Sequence, residues 1–156
     1  MDATLINPFL EAILNVLKTM AFVDAKTGKM YLKKDRKANG DVTGIIGLTG
    51  DVTGTLSITF TEGCIKGIIA NMLGEEVHEI DDEVRDAVGE ITNMACGDAR
   101  RKLDDMGYRV ASPRPTIVSG KNHVVQHLDR SSPCIAIPFE TEFGGFTVEV
   151  SIRSEK

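Results

Sequence analysis

The stretch Asp86-Ala-Val-Gly-Glu90-Ile-Thr-Asn93-Met-Ala-Cys-Gly97 places an acid, a second acid, an amide and a glycine at helical spacing. At about 100° per residue these four positions fall within roughly 60° of one another around a helix axis. Val84, Ala87, Val88, Ile91, Met94, Ala95 and Ala99 fill the opposite side, with Asp98 the one charge at the edge of that stripe. The pattern predicts a helix with an apolar face for a core and a polar face free to meet a partner.

Working outward, Asp81 and Asp82 supply a cap and favourable negative charge for this helix, which is predicted to run to about Met106 before Gly107. Ahead of it, Ile65, Ile68, Ile69 and Met72 share a face, so a second helix is expected over 64–73, closed by Gly74. Near the start, Asn7-Pro8 reads as a cap followed by a first-turn proline, and Leu10, Ile13, Leu14, Leu17 and Met20 repeat at helical period. A helix over 7–22 follows.

The remaining segments read as strands. Residues 29–34 form a short one, and 42–48 and 55–60 flank the turn-rich Thr49-Gly50-Asp51-Val52-Thr53-Gly54. Leu56, Ile58 and Phe60 alternate with Ser57 and Thr59, as expected of a strand with one wet face. Further strands are predicted over 115–118, 124–128, 135–139 and 146–152. In the last, Phe146, Val148, Val150 and Ile152 oppose Thr147, Glu149, Ser151 and Arg153. Pro138 lacks an amide hydrogen, which predicts an edge or a bulge in its strand.

This order contains a faint echo. Asn7, Glu11 and Leu14 parallel Asp86, Glu90 and Asn93, and Gly54-Thr-Leu-Ser-Ile parallels Gly145-Phe-Thr-Val-Glu-Val. Two matched helix-plus-strands halves give an α/β fold of the α+β kind: a mostly antiparallel sheet packed with a long amphipathic helix, in one domain over 1–156.

Composition narrows the function classes. The formal charge is −5 and no long basic run occurs, which argues against nucleic acid as a partner. Cys64, Cys96 and Cys134 are odd in number and far apart, so they read as small core residues rather than as a metal or redox set. No secretory or mitochondrial leader pattern opens the chain, and no run approaches the roughly 20 apolar residues of a membrane span. A cytoplasmic protein away from the membrane is expected.

Within the motif, Asn93 is a mediocre helix former whose amide competes for backbone hydrogen bonds. Gly97 costs a helix about 1 kcal/mol relative to alanine and leaves a flat spot where another backbone can approach. His123 and His127 are four apart but have no evident third ligand, so no metal site is assigned. The glycines between Gly44 and Gly54 precede a strand and lack a following Gly-Lys-Ser/Thr, which suits hairpin turns and not a phosphate loop.

The segment from Asp81 through Asp86, Glu90 and Asn93 to Gly97 closely resembles the signature of the chemotaxis phosphatase family that includes CheX, CheC and FliY, with CheX the nearer branch. That signature is Asp or Ser, Glu four residues on, Asn three further, and a proline downstream, for which Pro113 and Pro115 are both candidates. Gly47-Leu-Thr-Gly50-Asp-Val-Thr-Gly54-Thr-Leu-Ser-Ile resembles the family's glycine-marked hairpin. The resemblance implies a CheC-like fold and a phosphatase for the aspartyl phosphate of a CheY-like response regulator. It implies that Asn93 orients the attacking water and Glu90 engages the partner's lysine. Asp86 is assigned either to orienting the helix surface or to the partner's rim, and Gly97 to a point of close approach. No cofactor is expected on this chain, since the Mg2+ belongs to the regulator. Leu14 stands where a second site would need its amide, which implies a single site. The CheX branch further implies a homodimer formed by joining sheets, which Pro138 and the final strands, read as exposed, do not themselves decide. The rival reading is a non-catalytic adaptor that uses the same helix to bind a response regulator or a flagellar switch component.

Overall fold

The computed structural model describes residues 3–35, 37–120, 123–124 and 133–156. Helix α1 spans Ala3–Ala21, so Pro8 lies inside it and Asn7-Pro8 does not cap it. The reason is burial: Leu5, Ile6 and Phe9 are at most 4 % exposed, and they extend the apolar stripe of Ala12, Ile13, Val16 and Leu17 a full turn ahead of the proline. As the sixth residue of the helix, Pro8 forgoes one intrahelical amide bond, a cost that the burial of this stripe outweighs.

Two short strands follow, β1 at Lys26–Thr27 and β2 at Tyr31–Leu32, where one was expected. The glycine-marked hairpin is β3, Val42–Gly50, and β4, Val52–Phe60, meeting at Asp51. Helix α2, Glu62–Leu73, starts on the Thr61 hydroxyl, which accepts from the Cys64 amide, and stops at Gly74 in the left-handed region at φ 70°. Helix α3, Asp82–Asp105, starts on Asp81, whose carboxylate accepts from the Val84 amide. Then come β5 at Val110–Ala111, β6 at Thr116–Ser119, β7 at Ile135–Thr141 and β8 at Gly144–Ser154. Of the strand expected over 124–128, Val124 makes an isolated bridge to Lys37 and the rest lies outside the described residues.

Among the described residues the strands form one antiparallel sheet in the order β1-β7-β8-β4-β3-β5, with β2 also on β7 and β6 also on β3. This order is a palindrome of the chain. The short strands after α1 pair with the second half's β7, the short strands after α3 pair with the first half's β3, and β4 and β8 meet at the centre. The duplication is therefore a pseudo-two-fold arrangement. Its glycine match shifts by one residue, however: Gly144 at φ 130°, not Gly145, corresponds to Gly54 at φ 139°. With Gly145 as the match, Thr55 would correspond to Phe146, and a one-residue slip reverses every side chain.

Pro138 is neither at an outermost edge nor in a bulge. Its strand pairs without interruption with β8 and lies inside β1 and β2. The proline falls between the two short outer ladders, where the Gly28 amide donates to its carbonyl at 2.7 Å and no donor is required of it. The final strand β8, flanked by β4 and β7, is central rather than exposed for sheet joining.

Leu56, Ile58 and Phe60 face the helices together with their partners Val150, Val148 and Phe146, and the Phe146 ring stacks on Phe139 at 4.8 Å. The opposite face is polar but not wet. Thr43, Ser57, Thr59, Thr147, Glu149 and Ser151 are all buried. Long-range contacts cover this face: the Lys33 ammonium lies 3.5 Å from Glu149, the Cys134 thiol also reaches Glu149, and His123 bonds Thr43. Strand alternation reports polarity, and the chain's return over the sheet decides exposure.

Candidate functional site

The rotation of α3 is set from below. Val84, Val88, Ile91, Ala95, Cys96, Ala99 and Leu103 are buried, and Thr92 sits over Gly44 of β3 so closely that a Cβ there would come within 2.1 Å of the Thr92 hydroxyl. That hydroxyl donates back to the Val88 carbonyl at 2.7 Å, which leaves it no need of a sheet partner. Seated this way, the helix turns Asp86, Glu90, Asn93 and Gly97 to the exposed side. Met94, expected in the apolar stripe, is instead 39 % exposed, and Thr92 and Cys96 fill the inner positions. Neither Glu90 nor Asn93 has a hydrogen-bond or ion-pair partner among the described residues. Each is held by its backbone alone.

A second wall comes from the chain beyond the helix. Gly107, at φ 91°, lets it reverse, and Arg100 then clamps the return. Its Nε donates to the Val110 carbonyl at 2.9 Å and its Nη1 to the Ser112 hydroxyl at 3.2 Å, while the Cys96 thiol donates to the same hydroxyl at 3.7 Å. Residues Pro113-Arg114-Pro115 follow before β6 locks onto β3. The helix face and this return enclose a concavity of about 380 Å³ containing Asp86, Glu90, Asn93, Arg114 and Pro115, with Gly89 over Ile117 in its floor.

Three of the four motif residues are thus brought together. Gly97 opens onto a neighbouring concavity of about 410 Å³ bordered by Arg101, Asp104 and Arg109, and a Cβ added to it would meet nothing within 4 Å. Of the two candidate prolines, Pro115 lines the concavity with Glu90 and Asn93, and Pro113 does not. Arg85, Gly89, Arg114 and Ile117 belong to the site as well. They escape a sequence reading because only the pairing of β6 with β3 brings residues 114–117 beside the helix; the one local signal is an arginine fixed between two prolines.

The echo in α1 is arranged differently. Glu11 is tied to Lys102 of α3 at 3.3 Å and Leu14 is half-buried against the core. His123 has both ring nitrogens occupied, by the Gly120 carbonyl and the Thr43 hydroxyl, and His127 lies outside the described residues. Among the described residues no cluster of three or more His, Cys, Asp or Glu side chains is placed to hold a metal ion. Burial pushes the Cys64 thiol up to about 11, and it also raises Cys96 beneath the site, so neither is a poised nucleophile.

A pseudo-two-fold antiparallel sheet carrying a long helix, with an exposed carboxylate and amide beside a proline wall, defines a CheC-like protein. A CheC-like superfamily protein from Shewanella sp. PV-4 superposes with a TM-score of 0.92 at 46 % identity, covering 99 % of this chain and 100 % of that one. Residues 42–140 match the family described as chemotaxis phosphatase CheX, and the chain belongs to that family. A curated relative, the CheY-P phosphatase CheX of Thermotoga maritima, is 30 % identical over 123 residues, 78 % of this chain and 79 % of its own length. The CheX of a CheX-CheY-BeF3-Mg2+ complex from Borrelia burgdorferi matches with a TM-score of 0.80 at 27 % identity, over 96 % of this chain and 97 % of that one. No helix among the described residues is long and apolar enough to cross a membrane.

Proposed function

We propose that this chain hydrolyses the aspartyl phosphate of a CheY-like response regulator in the cytoplasm, terminating a chemotaxis or other two-component signal. The relative from Thermotoga maritima is a CheY-P phosphatase, and the relative from Borrelia burgdorferi assembles with CheY in the presence of BeF3 and Mg2+. The observation that carries the reading here is the pair Glu90 and Asn93: exposed, one helical turn apart, unpartnered among the described residues and lining one concavity.

An acyl phosphate is already reactive, so the phosphatase has little covalent chemistry to perform. Its task is to hold a water in line with the leaving oxygen. The Asn93 amide both donates and accepts, which orients a water without ionising it. Glu90, a turn away, pairs with the regulator's lysine and fixes the helix across the partner's site. Asp86 meets the partner's rim, Gly97 admits its backbone, and the magnesium ion is the regulator's, not this chain's. A homodimer forms by joining sheets at an outer edge; the exposed Met30, Tyr31 and Leu32 around β2 suit that role.

The direct test is phosphate release from a magnesium-loaded, phosphorylated response regulator with and without this protein. Acceleration is expected, and its absence across candidate regulators overturns the reading. Asn93→Ala should lose about 100-fold in rate while still binding, whereas Glu90→Ala should weaken binding and turnover together. Loss of binding alone in the Asn93 variant points to the adaptor.

A further inference from the structure

We infer that Arg114 is a partner-docking residue of this site, whose guanidinium receives a carboxylate on the rim of the regulator's magnesium site. The inference rests on the phosphatase reading and adds a contact that neither the motif nor the helix supplies.

Two facts about this arginine stand out. It lines the concavity with Asp86 and Glu90, yet it pairs with neither and has no other partner among the described residues. The other arginine of the concavity, Arg85, is already engaged, by Asp82 at 2.5 Å and by Ser119 at 3.4 Å. Arg114 is therefore the concavity's uncommitted cation.

It is also held on a stiff arm. Pro113 fixes its own φ, and Pro115 excludes helical backbone at Arg114 itself. The Arg100 clamp on Val110 and Ser112 anchors one end of this arm, and the ladder of β6 with β3 anchors the other. The backbone that carries this cation loses little freedom on binding, which leaves only the side chain's own torsions to be ordered.

Charge explains the need. The helix offers the partner Asp86 and Glu90 along its exposed side, Asp82 being paired with Arg85. A magnesium ion beside a phosphoaspartate is held through carboxylates, so the partner's surface there is acidic as well. The regulator's lysine answers Glu90, so the like charges left facing each other are Asp86 and the rim carboxylates, and Arg114 is the cation between them. Because Arg114 is exposed, its attraction is screened by salt and acts on encounter and docking, unlike a cation sealed around the phosphoryl group.

The experiment compares wild type, Arg114→Ala, Arg114→Lys and Arg114→Glu with a magnesium-loaded, phosphorylated regulator, reading kcat, KM and the salt dependence of kcat/KM. A binding titration against the magnesium-loaded regulator accompanies it, and thermal melts confirm folding. Arg114→Ala should raise KM about fivefold, change kcat less than twofold and flatten the salt dependence, with a larger effect from the glutamate and substantial recovery in the lysine variant. A fall in kcat at constant KM overturns the inference by moving the guanidinium onto the phosphoryl group. Unchanged KM, binding and salt slope in Arg114→Ala overturn it outright. If the wild type itself releases no phosphate, the phosphatase reading fails separately, and the titration alone still decides whether Arg114 docks the regulator.

Discussion

Helices α1 and α3 each open one half of a palindromic strand order, lie against each other and carry a glutamate at the same motif position, yet only α3 sets that glutamate unpaired beside an exposed amide. In α1 the glutamate is spent on the neighbouring helix through Glu11 and Lys102, and the next motif position is Leu14, half-buried. In α3 Glu90 and Asn93 face solvent, opposite a proline-bounded return. Duplicating a scaffold does not duplicate a site. The proposed site combines an unpaired acid, an amide and a second wall.

Breaking that asymmetry gives the largest expected effect. Asn93→Ala should abolish most phosphatase turnover, about 100-fold, while Leu14→Asn should add no measurable rate to that variant, because Glu11 remains tied to Lys102 and position 14 lies half-buried against the core. Any recovery of phosphate release in the double variant would show that α1 is a dormant site.

The seating of α3 comes next. A methyl group at Gly44 would collide with Thr92, which a rigid sheet and a packed helix accommodate poorly. Gly44→Ala should destabilise the fold by about 1–3 kcal/mol in denaturant titrations and lower turnover by tilting Asn93, and pairing it with Thr92→Ala should restore part of both. Additive losses would mean that helix and sheet are not in register through this contact.

The buried thiols test how tightly the helices of the two halves are packed. Cys64, on the buried side of α2, and Cys96, on that of α3, hold their protons to higher pH when folded than when unfolded. Their contribution to stability is therefore complete below about pH 9 and lost as pH rises through the folded values, about 11 for Cys64. Stability measured by denaturant should fall over that alkaline range, and less steeply in Cys64→Ala. At pH 8 both thiols should resist a thiol reagent until the protein unfolds.

The smallest effect distinguishes a packing glycine from a docking one. Gly97→Ala meets open space and should stabilise α3 by up to about 1 kcal/mol, yet weaken regulator binding if a partner backbone comes close there. Greater stability with unchanged affinity would remove Gly97 from the interface.

Much of this was legible from local chemistry. The cap at Asp81, the stop at Gly74 and the polar face from Asp86 to Gly97 rest on spacing and on intrinsic conformational preference, which act over one or two turns. Where expectation failed, a longer-range force had intervened. Burial of Leu5, Ile6 and Phe9 carried α1 past Pro8. Cover from the Lys33 and His123 segments dried a sheet face that alternation alone marks as wet.

The sequence by itself determined which residues offer chemistry, because a carboxylate and an amide at helical spacing must share a helix face. Only the tertiary structure decided which of two similar glutamates is free, that Pro115 rather than Pro113 borders the site, and that Arg114 stands beside it. Those outcomes depend on strands pairing across the chain and on one helix sinking onto Gly44, and no spacing along the backbone encodes such distances directly.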